Sequence, residues 1–354
     1  MPSHSPLDVD DVRARVQKSI DAFLSHQEPV LGTVSPDLAP IIDALADMLT
    51  GGKRLRPAFA YWGWRAAGGV DNDAIIDAAA SLELLQACAL IHDDVMDGSD
   101  TRRGRPSVHR RFAALHREAQ WLGSPETFGM GAAILLGDLC LSWADEMLYR
   151  SGLDPASLLR AKPVLDDMRT ELMAGQYLDL LEQARGGGSV ERALRVARFK
   201  AAKYTIERPL HLGGVLAGAD ESLLHTFTSY GLPLGEAFQL RDDVLGVFGD
   251  PVETGKPAGD DLREGKRTVL IAMTFQVATP AQLALLDRHL GDPSLTVAGL
   301  AALRGVIEES GALARVESLI GELTDQAMAA VSGVGEPAGP VLRDLAIAAT
   351  TRRT

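Results

Sequence analysis

Only two cysteines, Cys88 and Cys140, occur among the 354 residues. That is too few for a disulfide framework, and a reducing cytoplasm is the expected compartment. Aromatic residues make up 5% of a chain that is 46% hydrophobic, so the core must be aliphatic, which favours helices over strands. No apolar run approaches the roughly 18 to 20 residues of a membrane span. The opening MPSHSPLDVDDV has neither the basic start nor the apolar stretch of a signal peptide. Basic residues are outnumbered, and the net charge of −13 is offset by no basic domain or tail. This balance argues against a nucleic-acid partner.

Strand-like alternation and fixed-period repeats are also missing. Helical patterning runs over Leu7 to Ser25, Leu38 to Leu49, Arg56 to Ala67, Ala74 to Asp97, Phe128 to Arg150, Pro155 to Ala184, Val190 to Gly214 and Glu221 to Phe248. Shorter helical segments follow from Thr268. The breaks at Gly68-Gly69, Gly123-Ser124-Pro125, Gly186 to Gly188 and Gly335 to Pro340 are too short for interdomain linkers. The expectation is an all-α chain forming a single domain over residues 1–354.

What is present in excess is aspartate, at two places. Asp93-Asp94-Val95-Met96-Asp97 and Asp242-Asp243-Val244-Leu245-Gly246 have their first residues 149 positions apart (93 to 242). An Asp-Asp pair alone says little, since Asp10-Asp11 and Asp166-Asp167 fit a solvated helix face or cap. Context separates the first cluster from that reading. The run Leu82 to Ile91 is largely apolar, so a buried helix ends in three carboxylates, at the end where its dipole disfavours them. On that helix Asp93 and Asp97 are i and i+4 and share a face. Hard oxygen donors without His or Cys suit Mg²⁺, which completes its shell with water and phosphate oxygens. His92, beside the cluster, reads as a packing histidine or one supporting the carboxylates from behind, rather than an acid or base.

Cations flank these clusters. Gly51-Gly52-Lys53-Arg54-Leu55-Arg56-Pro57 lies upstream, Arg102 and Arg103 follow the first cluster, and Lys256, Asp261 and Lys266 follow the second. Paired glycines with Lys and Arg can surround a phosphate with amides and charge. The combination suggests two anionic substrates, one bound through metal and one through Lys and Arg directly.

GGKRLRP, LIHDDVMD…RRG and QLRDDVLG…GK…GDD…GK, in this order from about Gly51 to Thr268, resemble the all-trans polyprenyl diphosphate synthases. The stretches YWGWRAAGG and GDPVETGKPAGDDLREGKRT are similar to the actinobacterial geranylgeranyl branch. The resemblance implies the isoprenoid synthase fold, a homodimeric bundle of long helices around a deep central cavity. It implies Asp93 and Asp97 as Mg²⁺ ligands with Asp94 in support, Asp242 as ligand of a third Mg²⁺, and Asp243 and Asp261 as secondary partners. By the same resemblance Arg102 meets the allylic diphosphate, together with Lys200, Gln239, Lys256 and Lys266. Lys53, Arg56, Gln86 and Arg103 would hold isopentenyl diphosphate. Two departures stand out. Gly246 replaces the third aspartate of the second motif, which predicts weakened charge there. The family's Lys-Thr pair stands here as Lys200-Ala201, with Lys203 and Thr205 close by.

The implied reaction ionises the allylic diphosphate, adds the double bond of isopentenyl diphosphate to the cation and loses a proton. The rival readings are a class I terpene cyclase, which needs no second diphosphate pocket, and a non-catalytic regulatory subunit, whose motifs should be degraded. Product length should depend on residues one turn before Asp93. Cys88 and Ala89 are small there, with Leu85 as a partial floor, which favours a twenty-carbon product over a fifteen-carbon one.

Overall fold

The computed structural model describes residues 6–250 and 259–351. Helices dominate: α1 (Val12–Val34), α2 (Ala39–Leu49), α3 (Leu55–Ala66), α4 (Asp73–Asp97), α5 (Val108–Glu118), α6 (Pro125–Tyr149) and α7 (Pro155–Arg185). Next come α8 (Val190–Val196), a π-helical segment (Ala197–Glu207), α9 (Arg208–Ala217) and α10 (Glu221–Phe248). The chain closes with α11 (Asp260–Glu264), α12 (Val269–Val277), α13 (Pro280–His289), α14 (Val297–Glu309), α15 (Ala312–Ala330) and α16 (Ala338–Thr350). Side-chain caps fix where the long ones start: Asn72 for α4, Asp154 for α7 and Asp220 for α10 each accept a backbone N–H of the first turn. Gly98, at φ +67°, ends α4 just after the first aspartate cluster.

Two aliphatic cores meet on α10. Tyr230, Leu234 and Phe238 belong to the larger core, built on α1, α3, α4, α6, α7 and α9. Ala237, Leu240 and Val244 belong to a second core with α12, α14 and α15. The second aspartate cluster sits where these two faces diverge. α4 packs against α3 and α6, so the first cluster emerges from the centre of the larger core.

Several expectations change in detail. α1 starts at Val12 and continues through Pro29 to Val34. The segment expected as one helix from Val190 to Gly214 is interrupted by the π-helical stretch. Glycines make room for that stretch: a Cβ at Gly175 would lie 2.4 Å from the Lys200 nitrogen, and one at Gly235 would lie 2.6 Å from Ala202. The RRGRP loop contains a small antiparallel pairing, Thr101 with Pro106 and Arg102 with Arg105. Its connecting residues Arg103 and Gly104 are both left-handed, at φ 53° and 72°, as a primed two-residue hairpin turn requires. Finally, α4 and α6 are long and apolar enough to cross a membrane by length and composition. Scattered acidic residues break the apolar runs that a sequence scan looks for. Protein covers 72% of that window in α4 but 39% in α6, and Met130, Ile134 and Leu135 on α6 are exposed.

The α3–α9 crossing carries Arg56 and is closely packed. A Cβ at Gly213 would lie 1.8 Å from the Ala60 carbonyl oxygen. Gly213→Ala is expected to destabilise by about 1–3 kcal/mol or more, read as a lowered Tm in thermal unfolding.

Candidate active site

Along α4 the residues Gln86, Ala89, Leu90 and Asp93 line one cavity of about 540 Å³. They stand at i, i+3, i+4 and i+7, a single helical stripe. Across from them α10 supplies Phe238, Gln239, Asp242, Asp243 and Gly246, and the π segment supplies Lys200, Ala201, Tyr204 and Thr205. Lys53, Arg56, Arg102, Asp261 and Lys266 complete the charged lining. Lys256 lies outside the described residues.

Each buried carboxylate of the first cluster has a cation. Lys200 Nζ donates to Asp93 Oδ1 at 3.1 Å and to Asp179 Oδ2 at 2.6 Å. Burial alone would raise the Asp93 carboxyl, but Lys200, Lys266 and Arg102 hold it well below the usual carboxylate range. Lys266 Nζ lies 3.2 Å from Asp97, 3.6 Å from Asp261 and 2.8 Å from Glu264. Burial opposes the Lys266 charge, yet Asp261, Asp97 and Glu264 keep it firmly protonated. Asp97 is pushed upward, first by burial and then by the charge of Asp93, against the pull of Lys266.

Asp94 does not share this role. It is buried, and Arg102 engages its Oδ1 through both Nε, at 2.9 Å, and a terminal nitrogen. Arg102 also reaches Asp93 Oδ2 at 3.4 Å. Asp94 therefore orients Arg102 and is not among the residues that line the cavity. A carboxylate one residue from Asp93 projects about 100° around the helix.

On α10, Gln239 Nε2 donates to Asp243 Oδ1 at 2.7 Å. Burial pushes Asp243 up to about 8, and the charges of Asp261, Asp242 and Asp179 add to the push. Asp242 and Asp243 both line the cavity. Gly246 has an unexpected partner: a Cβ there would lie 1.9 Å from Asp261 Oδ2. The carboxylate of α11 thus occupies the room a third aspartate side chain would need.

The cationic side forms around Arg56. Its guanidinium donates to Thr205 Oγ1 at 2.8 Å and lies 4.2 Å over the Tyr204 ring. Tyr204 in turn donates to Gln86 Oε1 at 2.6 Å. Arg103 is exposed at the rim rather than in the cavity lining. A side chain at Gly52 would meet its guanidinium at 3.4 Å. Partial loss of hydration at the rim lowers the Arg103 pKa, and Arg54, Arg102 and Arg56 lower it further, with Glu83 opposing. Crowded guanidinium groups of this kind favour an anion.

Two chain-length candidates move. Leu85 and Cys88 are buried off the cavity stripe, and only Ala89 lines it. Cys88 Sγ sits 3.8 Å from His92 Nδ1, while His92 Nε2 contacts the Ile134 carbonyl of α6 at 3.0 Å. His92 is a packing histidine, flush against Gly137. Lys203 pairs with Glu171 on α7, which leaves Lys200 as the lysine that the π segment contributes to the cavity. Gln176, whose Nε2 donates to Asp93 Oδ1 at 3.0 Å, and Asp179 were not singled out from the sequence. Their spacing, i and i+3 on a long helix, was the available signal.

Among the described residues no three carboxylates stand close enough to form a ready-made metal cage. The donor set still fits a hard cation. Both oxygens of Asp97 are buried, with the Lys266 ammonium 3.2 Å from one of them, and Asp93, Asp97 and Asp242 offer only hard carboxylate oxygens.

An all-helical cavity lined by opposed aspartates and by Lys and Arg defines a diphosphate-processing enzyme. Residues 39–303 match the model of the polyprenyl synthetase family. The chain belongs to this family and is a prenyltransferase. It is similar in structure to geranylgeranyl pyrophosphate synthase from Corynebacterium glutamicum complexed with isoprenyl diphosphate and magnesium. That likeness has a TM-score of 0.94 and 43% identity, and covers 98% of this chain and 99% of that one. Geranylfarnesyl diphosphate synthase of Aeropyrum pernix is 34% identical over 76% of this chain and 79% of its own. (2E,6E)-farnesyl diphosphate synthase of Mycobacterium tuberculosis is 32% identical over 83% of this chain and 78% of its own.

Asp243 gives a pH test. Its folded pKa, about 8, lies above the ordinary 3.8. The protonated form therefore stabilises the fold, and that stability is lost as pH rises from about 4 through 8. In chelator-treated protein Asp243→Asn is expected to flatten this slope and raise Tm at pH 8. An unchanged slope removes the assignment.

Proposed function

We propose that this chain condenses isopentenyl diphosphate with an allylic diphosphate (dimethylallyl, geranyl or farnesyl), making mainly geranylgeranyl diphosphate. One observation carries the reading: a single cavity is lined both by Asp93 and Asp242 and, separately, by Lys53, Arg56 and Gln86. A terpene cyclase has one diphosphate to bind and no use for the second set. A regulatory subunit has no use for either.

Asp93, Asp97 and Asp242 would hold Mg²⁺, three ions with substrate bound, and the metal supplies electrostatic stabilisation of a departing diphosphate. Arg102, Lys200 and Lys266 face the same developing charge. Lys256 belongs with them by resemblance. Lys53, Arg56, Gln86 and the rim residue Arg103 fix isopentenyl diphosphate so that its double bond meets the allylic carbon. The C–O bond of the allylic diphosphate breaks, the new C–C bond forms, and a proton leaves to the released diphosphate. Leu90, Leu172 and Phe238 keep the surroundings apolar. Holding both substrates in one cavity accounts for much of the rate.

The twenty-carbon product rests on Ala89, the smallest side chain of the α4 stripe one turn below Asp93. The farnesyl synthase among the similar proteins keeps a fifteen-carbon product as the alternative. We place the chain in the cytoplasm as one domain and as a homodimer. The exposed apolar residues Ile134 and Leu135 on α6, with Met173 and Tyr177 on α7, support the dimer. Light scattering that returned a monomer mass would remove it.

Incubation with labelled isopentenyl diphosphate, an allylic diphosphate and Mg²⁺ tests the function. Label in a longer prenyl chain is expected, and no incorporation sinks the reading. Asp97→Ala is expected to cut turnover at least about 100-fold with Tm unchanged or raised, because a buried, repelled carboxylate is removed. Ala89→Phe is expected to shorten the main product by one or two isoprene units in product chromatography. A wild-type product length from that variant places the ruler elsewhere.

A further inference from the structure

Arg54 stands between Lys53 and Leu55, two residues before Arg56, yet it points the other way. Its side chain is 2% exposed and forms a buried ion pair with Glu83 of α4, itself 6% exposed. The same guanidinium donates to the Leu49 carbonyl and, at 2.5 Å, to Gln17 Oε1 of α1. Gln17 Oε1 also accepts the Gly51 N–H at 3.2 Å. Arg54 adopts a left-handed conformation at φ 54°, flanked by Gly51 and Gly52 at φ 73° and 89°. A non-glycine residue holds that conformation only where its surroundings over-determine it. Here four donor–acceptor contacts from three elements do so.

We propose that Arg54 is the positioning residue of the isopentenyl diphosphate pocket. It touches no substrate. Its guanidinium ties the loop before α3 to Glu83, one turn before Gln86 on the helix that also carries Asp93. The distance between the two diphosphate pockets is thereby set through a buried pair, and Lys53 and Arg56 are turned to the cavity because Arg54 is turned away. Three basic residues in four positions would otherwise be free to exchange roles. A fork with several fixed acceptors prevents that, and a lysine cannot reproduce it.

The inference rests on the reading that Lys53 and Arg56 hold isopentenyl diphosphate, so Lys53→Ala is measured alongside. Steady-state kinetics on the full-length protein with Mg²⁺ and both substrates is the test. Arg54→Lys keeps a charge opposite Glu83 but cannot also reach Leu49 and Gln17. It is expected to raise KM for isopentenyl diphosphate about tenfold, leaving kcat and the allylic KM within about twofold. Glu83→Gln is expected to give the same split, and the double variant to be no worse than the worse single one. A merely structural role would move both KM values together, and that result overturns the proposal, as does an unchanged KM. Should Arg54→Lys not fold, Gln17→Leu frees the loop while the buried pair stays, and the same split is expected of it. If Lys53→Ala raises this KM and the Arg54 and Gln17 variants do not, only the positioning role falls. If Lys53→Ala leaves it unchanged, the pocket assignment falls and takes this inference with it.

Discussion

Like charge confined in a poorly hydrated interior is the constraint that the surrounding structure answers. Asp93, Asp179, Asp242 and Asp243 line one cavity, and Asp97 is paired with Lys266 of the same lining. At an effective dielectric near 20, two unit charges 4 Å apart interact by about 4 kcal/mol. Left alone, that repulsion would protonate the carboxyls or open the fold. Three cations, each from a different segment, oppose it: Lys200 from the π segment, Lys266 from beyond α11 and Arg102 from the hairpin. Asp243 is answered differently, by remaining largely protonated beside Gln239.

These cations are not equivalent. Arg102 is held by two hydrogen bonds to Asp94, an arrangement that fixes the plane of its guanidinium. Lys200 and Lys266 are single charges on flexible stems, each shared among two or three carboxylates. A guanidinium so fixed presents donors in one direction, whereas an ammonium can turn from a carboxylate to an incoming phosphate within its own reach. Asp94 is the carboxylate committed to holding a cation in place. Asp93 beside it and Asp97 three residues on are paired with lysines instead.

Much of this was legible in the sequence because it depends on residue type and short spacing. Asp93 and Asp97 at i and i+4, Gly51-Gly52 before Lys53 and the arginines after the first cluster need no tertiary information. Direction around a helix is harder to read. Cys88 and Ala89 are adjacent and both small, but the helical step separates them: Cys88 turns to His92 and Ala89 to the cavity. Asp94 and Arg54 were obscured for the same reason, each being one residue away from a group that faces another way. Long-range partners were not legible at all. Gly246 reads as a lost aspartate until Asp261, from a separate helix, is seen to occupy its space. Lys200-Ala201 reads as a slipped motif until the π-helical turn fixes which lysine enters the cavity.

The stripe Gln86, Ala89, Leu90 and Asp93 carries the remaining consequence. On the proposed reading a prenyl tail grows from a diphosphate held near Asp93 down the face of α4, so its length is measured along one rigid axis. Each turn of that axis rises about 5.4 Å, close to one isoprene unit. α4 cannot roll to offer another face, because α3 and α6 pack against it and its capping residues fix both ends. The anchor and the ruler therefore share one helix. A substitution on the stripe changes how far the tail can go without moving the carboxylates that start it. A substitution one residue off the stripe, at Cys88 or Leu85, disturbs packing and leaves the ruler in place.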